Sequence, residues 1–248
     1  MKADKTSNLY KLTKEEYDQL LLNNITKMYK KANDKVVNQI NNEAKEIADE
    51  LELSDRINQL AGKNAYLTLK DHKKKFNSNP SCRLINPTKS EIGKVSKIIL
   101  ERANKIIKMK LGVMQWTDPQ QVINWFKSIE EKHNMEFIKF DVKEFYPSIT
   151  EELLEKSIRF GQKHCEMNEK DIKIVYNAAQ SVLYHNEQVW VKRKEGINPT
   201  FDITMGGYHG AEVCELVGLF MLSEMGKFIP KENVGLYRDD GLMLIKKQ

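Results

Sequence analysis

Apolar residues recur at helical spacing at Val36, Ile40, Ala44, Ile47 and Leu51, and again at Ile92, Val95, Ile99, Ala103 and Ile106. Each set falls on one face of a helix. Ahead of the first, Thr13 and Glu16 have the spacing of a capping box, with Leu12 and Tyr17 placed as its hydrophobic staple. Between the two periodic stretches, Tyr66 to Lys70 and Cys82 to Ile85 read as the strands of a hairpin. The lysine- and asparagine-rich stretch Asp71 to Pro80 joins them. Pro119 after Asp118 predicts another helix start. Phe137 to Val142 reads as a short buried strand. Thr150 caps a predicted helix through Phe160, and Asn168 caps one through Leu183. Val189 to Val191 suggests a strand edge. Gly206-Gly207 marks a turn before a long apolar helix, roughly 211–228. Val234 to Tyr237 and Leu242 to Ile245 are short apolar runs around Arg238-Asp239-Asp240-Gly241, where Asp-Gly signals a hairpin turn. Helices with a few non-alternating strands predict an α+β protein, its antiparallel sheet covered on one face.

Composition narrows the class. The chain has 248 residues, 40% hydrophobic and 30% charged, which is room for one good core or two modest ones. No apolar stretch reaches bilayer-spanning length and the first residues are polar, so no membrane span or secretory signal is expected and an intracellular protein is. Cys82, Cys165 and Cys214 are odd in number and far apart, as free thiols in a reducing compartment would be. His164-Cys165 has no second ligand pair at zinc spacing. The net charge of +5 is mild but uneven. Residues 70–110 hold 12 basic and 3 acidic side chains, a net of +9. Concentrated positive charge suits a phosphate backbone, and a merely solvated lysine-rich helix is the plainer reading of such a run.

Two acidic sites carry the candidate chemistry. Asp141 closes the apolar run Phe137–Phe140, and Asp239-Asp240 sits between two apolar runs. Aspartate suits hairpin tips for local reasons alone. Adjacent aspartates nevertheless repel, and a hard divalent cation such as Mg²⁺ relieves that repulsion with oxygen ligands. If the strand ending at Asp141 lies beside the hairpin, Asp141 and Asp239 can share two ions about 4 Å apart.

Tyr237-Arg238-Asp239-Asp240, about a hundred residues after Asp141-Val142-Lys143-Glu144-Phe145-Tyr146, resembles the Tyr-x-Asp-Asp and Asp-x-x-x-x-Tyr motifs of retroelement reverse transcriptases. The resemblance runs from about Tyr66 to Ile245. It implies right-hand polymerase fingers and palm, with residues 1–136 as N-terminal helices and fingers and 137–248 as an incomplete palm without a thumb. It implies Asp141, Asp239 and Asp240 as catalytic residues. These, with the Val142 carbonyl, would hold two Mg²⁺ (or Mn²⁺) ions. Tyr146 would lie under the sugar of the incoming nucleotide and exclude a 2′-hydroxyl, and Tyr237 would border the same site. Lys70 and Arg83 would grip the triphosphate, Arg83 with a bidentate fork.

Gly210, at the end of Met205-Gly206-Gly207-Tyr208-His209-Gly210, would frame template and nucleotide. Here the chain departs from the family: Tyr208-His209 replaces Pro-Gln, and the following Ser-Pro is missing. Glu212 and Glu215 match no family role; the dipole at a helix start explains them. The implied partners are an RNA or DNA template-primer duplex and deoxynucleotides. With only eight residues after Asp240, other domains of a longer polyprotein are expected. The expected activity is RNA-directed DNA polymerisation. The alternatives are an RNA-dependent RNA polymerase, against which Tyr146 argues, and a retired palm that only binds nucleic acid.

Overall fold

The computed structural model describes residues 1–52, 54, 63–74, 76, 80–87, 89–193 and 198–247. Part of the 71–80 connection therefore lies outside the described residues. In chain order the elements are α1 (Lys14–Met28), β1 (Tyr29–Ala32), α2 (Lys35–Glu50), β2 (Tyr66–Leu69), β3 (Cys82–Ile85), α3 (Glu91–Leu111), β4 (Met114–Trp116), α4 (Pro119–Ser128), β5 (Met135–Asp141), α5 (Phe145–Ser148), α6 (Glu151–Gln162), α7 (Glu169–Ala178), β6 (Leu183–His185), β7 (Gln188–Lys192), α8 (Gly210–Met225), β8 (Val234–Tyr237) and β9 (Asp240–Lys246). The fold is a mixture of helices and small sheets. Among the described residues, no helix is long and apolar enough to cross a membrane. The chain forms two compact units, each built from two stretches: Met1–Lys94 with Ile174–Gly210, and Val95–Lys173 with Ala211–Gln248.

In the first unit, Thr13 caps α1. Its side chain accepts from the Glu16 amide, and the Glu16 carboxylate accepts from the Thr13 amide. Leu21 and Ile25 of α1 pack with Tyr29, Leu67, Leu183 and Trp190. Ile40 of α2 packs on Val182, Val189 and Val191. The sheet order is β1-β7-β6, so β7 is central, not the edge that its short apolar run suggests. Nor does the helix begun at Asn168 reach Leu183. It stops at Ala178, and Leu183 to His185 pair with Trp190 to Gln188 across a turn whose Asn186 and Glu187 both have positive φ. Left-handed backbone at both central residues matches the twist of a tight hairpin, and strand pairing overrides the helical pattern. Inside this unit Asp202 accepts from the Tyr29 hydroxyl at 2.6 Å and pairs with Lys192 at 2.7 Å, all three buried.

The same unit holds a short ribbon. β2 and β3 pair antiparallel, with Thr68 opposite Arg83. Residues 1–10 fold back on themselves, Ala3 N–H donating to Asn8, and lie along β2. There the Asp4 amide donates to the Leu69 carbonyl at 2.8 Å and the Leu69 amide to that of Lys2 at 3.1 Å.

In the second unit the sheet order is β4-β8-β9-β5. The three strands β8, β9 and β5 are antiparallel, and β4 adds parallel to β8. Trp125 of α4 packs on Trp116 and Leu244, its indole N–H donating to the Glu232 carbonyl at 2.7 Å. Asp118 and Pro119 start α4 as their order predicts: the Asp118 side chain accepts from the Gln120 amide. On α3 the buried face runs through Ile99, Leu100, Ala103 and Ile107, so Ile107 replaces Ile106. β5 is not buried. Among the described residues it is the sheet edge, and Phe137 and Ile138 stand in solvent. Its apolar run is half satisfied by neighbours: Phe137 lies 5.3 Å from Phe126, and Phe140 crosses onto Gly241.

Two glycines set how closely this sheet packs. A β-carbon at Gly235 would come within 2.3 Å of the Trp116 ring, and one at Gly241 within 2.1 Å of the Phe140 ring. Each aromatic ring therefore fills the space above its cross-strand glycine. Asp240-Gly241 consequently belongs to the strand. The turn is Arg238-Asp239, with Arg238 in the left-handed region at φ 56°.

Candidate functional site

The carboxylates meet in the second unit. The register of β5 on β9 puts Asp141 opposite Asp240, with Phe140 opposite Gly241. Directly paired residues share a sheet face, their β-carbons about 5 Å apart. The turn is tied to the end of β5 by the Val142 amide, which donates to the Asp239 carbonyl at 2.8 Å. Thus Asp141, Val142, Asp239 and Asp240 lie at one tip of the sheet, and all three aspartates are exposed. Like charges placed opposite each other are unfavourable. Lys139, two residues before Asp141, answers part of this by pairing with Asp240 at 3.2 Å. Sequence patterning singled out the aspartates but not Lys139, whose place depends on strand register.

Arg238 and Glu144 flank this tip, both with φ near +50°. Such backbone costs about 1–2 kcal/mol per non-glycine residue. The Arg238 guanidinium lies 5.9 Å from the centre of the Tyr237 ring.

Tyr146 follows in α5, half-buried beside Phe145, which is fully in the core. Burial pushes its phenol up to about 12; Cys214, Glu212 and Asp239 push the same way and Arg238 opposes them. The ring is thus a neutral aromatic at any ordinary pH, set close to the Asp239 turn. Its hydroxyl and the Cys214 thiol are hydrogen-bonding neighbours, and burial raises the thiol well above its ordinary value.

Behind them, α8 is fixed through its backbone. Asn104 donates to the Glu212 carbonyl at 2.9 Å and Gln115 to the Glu215 carbonyl at 2.8 Å. Glu212 is buried, with Lys97 3.8 Å away, and burial raises its carboxyl. Cys214, Asn104 and Gln115 had no signal in the sequence pattern.

Could these residues hold the divalent ions expected of such a motif? Among the described residues, no three or more Asp, Glu, His or Cys side chains gather as a metal cage. Mg²⁺ does not need one: it keeps most of its waters and binds through one or two carboxylates plus substrate phosphates. Asp141 and Asp239, oxygen-only donors on adjoining segments, fit that mode. Asp240 is engaged with Lys139. His164 packs edge-on against Phe160, and the Cys165 thiol donates to the Gly161 carbonyl.

The remaining candidates lie in the first unit. Lys70 follows β2, its amide donating to the Ser81 carbonyl at 2.8 Å. Arg83 sits in β3 and pairs with Asp4 at 3.1 Å. Gly210 is buried and opens α8. Just before it, Tyr208 carries the Lys89 and Lys94 ammonium groups 4.7 and 5.3 Å from its ring centre. His209 points into a small cleft lined by Lys89, Ser90, Gln180, Asp202, Thr204 and Tyr208.

His209 is almost fully buried and neither ring nitrogen has a partner among the described residues. Burial lowers its pKa to about 4. A folded value below the unfolded one means the neutral ring stabilises the fold above about pH 6.5, and that the contribution is lost as pH falls toward 4. The expected loss is about 3 kcal/mol. Urea unfolding at pH 7 and pH 4.5 should show a drop that is largely absent in His209→Leu. An equal drop in both proteins would remove His209 as its cause.

No protein-family model and no curated protein matches the chain. Solved structures do. Telomerase from Candida albicans, in complex with a TWJ fragment of telomeric RNA, superposes with a TM-score of 0.63 at 12% identity, covering 99% of this chain and 44% of that one. Telomerase from Candida tropicalis, with a TWJ fragment of telomeric RNA, gives 0.57 at 14% identity over 97% of this chain and 41% of that one. The apo form from the same species gives 0.53 at 11% identity over 84% and 44%. The chain thus spans less than half the length of the telomerase chains it resembles, and at these identities the likeness is one of fold.

Proposed function

We propose that the chain is the nucleotidyl-transfer part of an RNA-directed DNA polymerase, extending a primer 3′-hydroxyl with deoxynucleotides. The observation that carries this reading is the register of β5 on β9, which sets Asp141 beside the Asp239-Asp240 turn. Two unrelated acidic segments would have no reason to share one sheet tip. The likeness in fold to the telomerase structures supports the same reading.

In this reading Asp141 and Asp239 hold the divalent ions together with the nucleotide's phosphates. Bound there, the ions would supply Lewis-acid activation of the attacking hydroxyl and charge neutralisation at the leaving pyrophosphate. The protein's share is placement. The Val142–Asp239 backbone bond holds the two carboxylate-bearing segments together, and Lys139 draws Asp240 aside. Lys70 and Arg83 take the triphosphate and Gly210 the template side. Along the sequence, 1–136 then serve as N-terminal helices and fingers and 137–248 as palm, an assignment of roles distinct from the two compact units. An RNA or DNA template-primer is the partner.

Tyr146 is the specificity element. A rigid neutral ring, held by Cys214 and close to Asp239, would clash with a ribose 2′-hydroxyl. Tyr146→Ala is expected to raise ribonucleotide use relative to deoxynucleotide use by roughly 10- to 100-fold, the scale of one pocket group's discrimination. Single-nucleotide extension kinetics with each sugar would measure it, and an unchanged ratio would sink the gate. The test of the function itself is primer extension on an RNA template with Mg²⁺. Extension with deoxynucleotides supports the reading. Duplex binding without extension would instead leave a nucleic-acid-binding palm, and preference for ribonucleotides an RNA polymerase.

A further inference from the structure

Arg83 is the residue of the β2–β3 ribbon best suited to a phosphate, yet it already has a carboxylate partner from far away in the sequence. Asp4 Oδ1 lies 3.1 Å from the Arg83 Nη1, and Thr68 Oγ1 donates to the same oxygen at 3.4 Å. Asp4, Thr68 and Arg83 thus form a row across the N-terminal segment, β2 and β3. The row is held at its Asp4 end. Asp4 is locked by the backbone bonds of residues 2 and 4 to Leu69. Beyond it, one oxygen of Asp71 accepts from Thr6 at 2.6 Å, Asn8 at 2.9 Å and Tyr10 at 3.0 Å. Those hydrogen bonds keep the Asp71 carboxyl below its usual range, and Tyr10 stacks edge-on against Phe76 at 5.1 Å. These backbone bonds, side-chain hydrogen bonds and the ring contact together fix the segment that carries Asp4.

We propose that Asp4 is a positioning residue that holds the Arg83 guanidinium from behind, so that its free face receives the triphosphate of an incoming nucleotide. This rests on the polymerase reading for the ligand's identity. Exposure separates positioning from masking. The Asp4 side chain is 7% exposed and that of Arg83 34%. A carboxylate competing with phosphate would itself stand in solvent; this one is nearly closed off from it, while the arginine is not. The contact is also single-pronged: Arg83 Nε and Asp4 Oδ2 are both buried and unpartnered among the described residues. One prong restrains the direction of the side chain while leaving the other Nη N–H groups for an anion. An arginine that starts ordered loses less rotamer freedom when phosphate arrives.

The test is a double-mutant cycle read by calorimetric titration with inorganic tripolyphosphate, using the full chain and its Asp4→Asn, Arg83→Ala and doubly substituted forms. Asp4→Asn is expected to weaken tripolyphosphate binding about tenfold alone and less than about twofold in the Arg83→Ala background. Equal losses in both backgrounds would make Asp4 merely structural. Tighter binding in Asp4→Asn would make it a mask, and no binding by the unsubstituted chain would leave it nothing to position. Each of these overturns the proposal. Should Asp4→Asn not fold, Asp4→Glu enters the same cycle, since it keeps the charge but shifts it by a methylene. Primer extension, run in parallel, separates the two ideas. Extension without coupling between Asp4 and Arg83 leaves the polymerase and removes the positioning role. Coupling without extension leaves a triphosphate site on a protein that is not a polymerase.

Discussion

Asp239→Asn is expected to abolish primer extension, lowering its rate at least about a thousandfold while leaving the melting temperature within a degree or two. The two halves of that expectation have different causes. Asp239 is an exposed turn residue. What the turn contributes to the fold is the Asp239 carbonyl that accepts from Val142, and asparagine keeps it. Replacing the carboxylate with an amide should also relieve repulsion from Asp141 and Asp240. Chemistry has no such substitute. A carboxylate removed from a two-carboxylate site removes half of the protein's charge on the ions, and stabilisation of transition-state charge of this kind amounts to several kcal/mol. Asp141→Asn should behave alike. Asp240→Asn should be milder, because that side chain is engaged with Lys139. Stopped-time extension assays with matched thermal melts decide the matter. Retention of more than about a tenth of the activity in Asp239→Asn would remove the carboxylate tip as the reaction centre.

What the sequence revealed about this site and what it hid have one physical root. Tyr237 to Asp240 and Asp141 to Tyr146 are local patterns, each carried by a few consecutive residues. Their meeting is also nearly legible, because two short apolar runs ending in acids have few ways to pair. The capping signals at Thr13, Asp118 and Thr150 are local too, and all three caps form. The misreadings came where long-range pairing decides. β5 is rich in phenylalanine and reads as buried, but its burial depends on how many neighbours it has, and one neighbour leaves Phe137 and Ile138 in solvent. Asp240-Gly241 has turn chemistry, but Phe140 needs the space over Gly241, so the turn moves back to Arg238-Asp239. Asp4 had no local signal, since its partner Arg83 stands 79 positions away. The same holds for Lys192 and Asp202, two charges that composition alone would place on the surface.

Removing one member of that last pair is expected to cause the largest loss of stability in the molecule. Lys192 and Asp202 are 8% and 4% exposed in their side chains, 2.7 Å apart, and the second Asp202 oxygen accepts from Tyr29 at 2.6 Å. Burial and the Asp202 charge hold the Tyr29 phenol well above its ordinary range, so it remains a donor. Asp202→Ala strands an ammonium and a hydroxyl in a nearly dry interior. A buried charge that loses its partner typically costs about 3–5 kcal/mol. For a chain of this size that lowers the melting temperature by roughly 10 °C. Taking the ammonium away as well should recover much of the loss. Lys192→Met together with Asp202→Asn keeps volume and an acceptor for Tyr29, and a buried ion pair replaced as a whole is often neutral. The double variant should therefore melt well above Asp202→Ala, contrary to additivity. Thermal unfolding of the single and double variants makes the comparison. If Asp202→Ala shifts the midpoint by less than about 2 °C, the pair is not sealed from water as its exposure implies. A double variant as unstable as Asp202→Ala would mean that the ionic contact itself, rather than the need to satisfy each buried charge, stabilises the β1–β7–β6 unit.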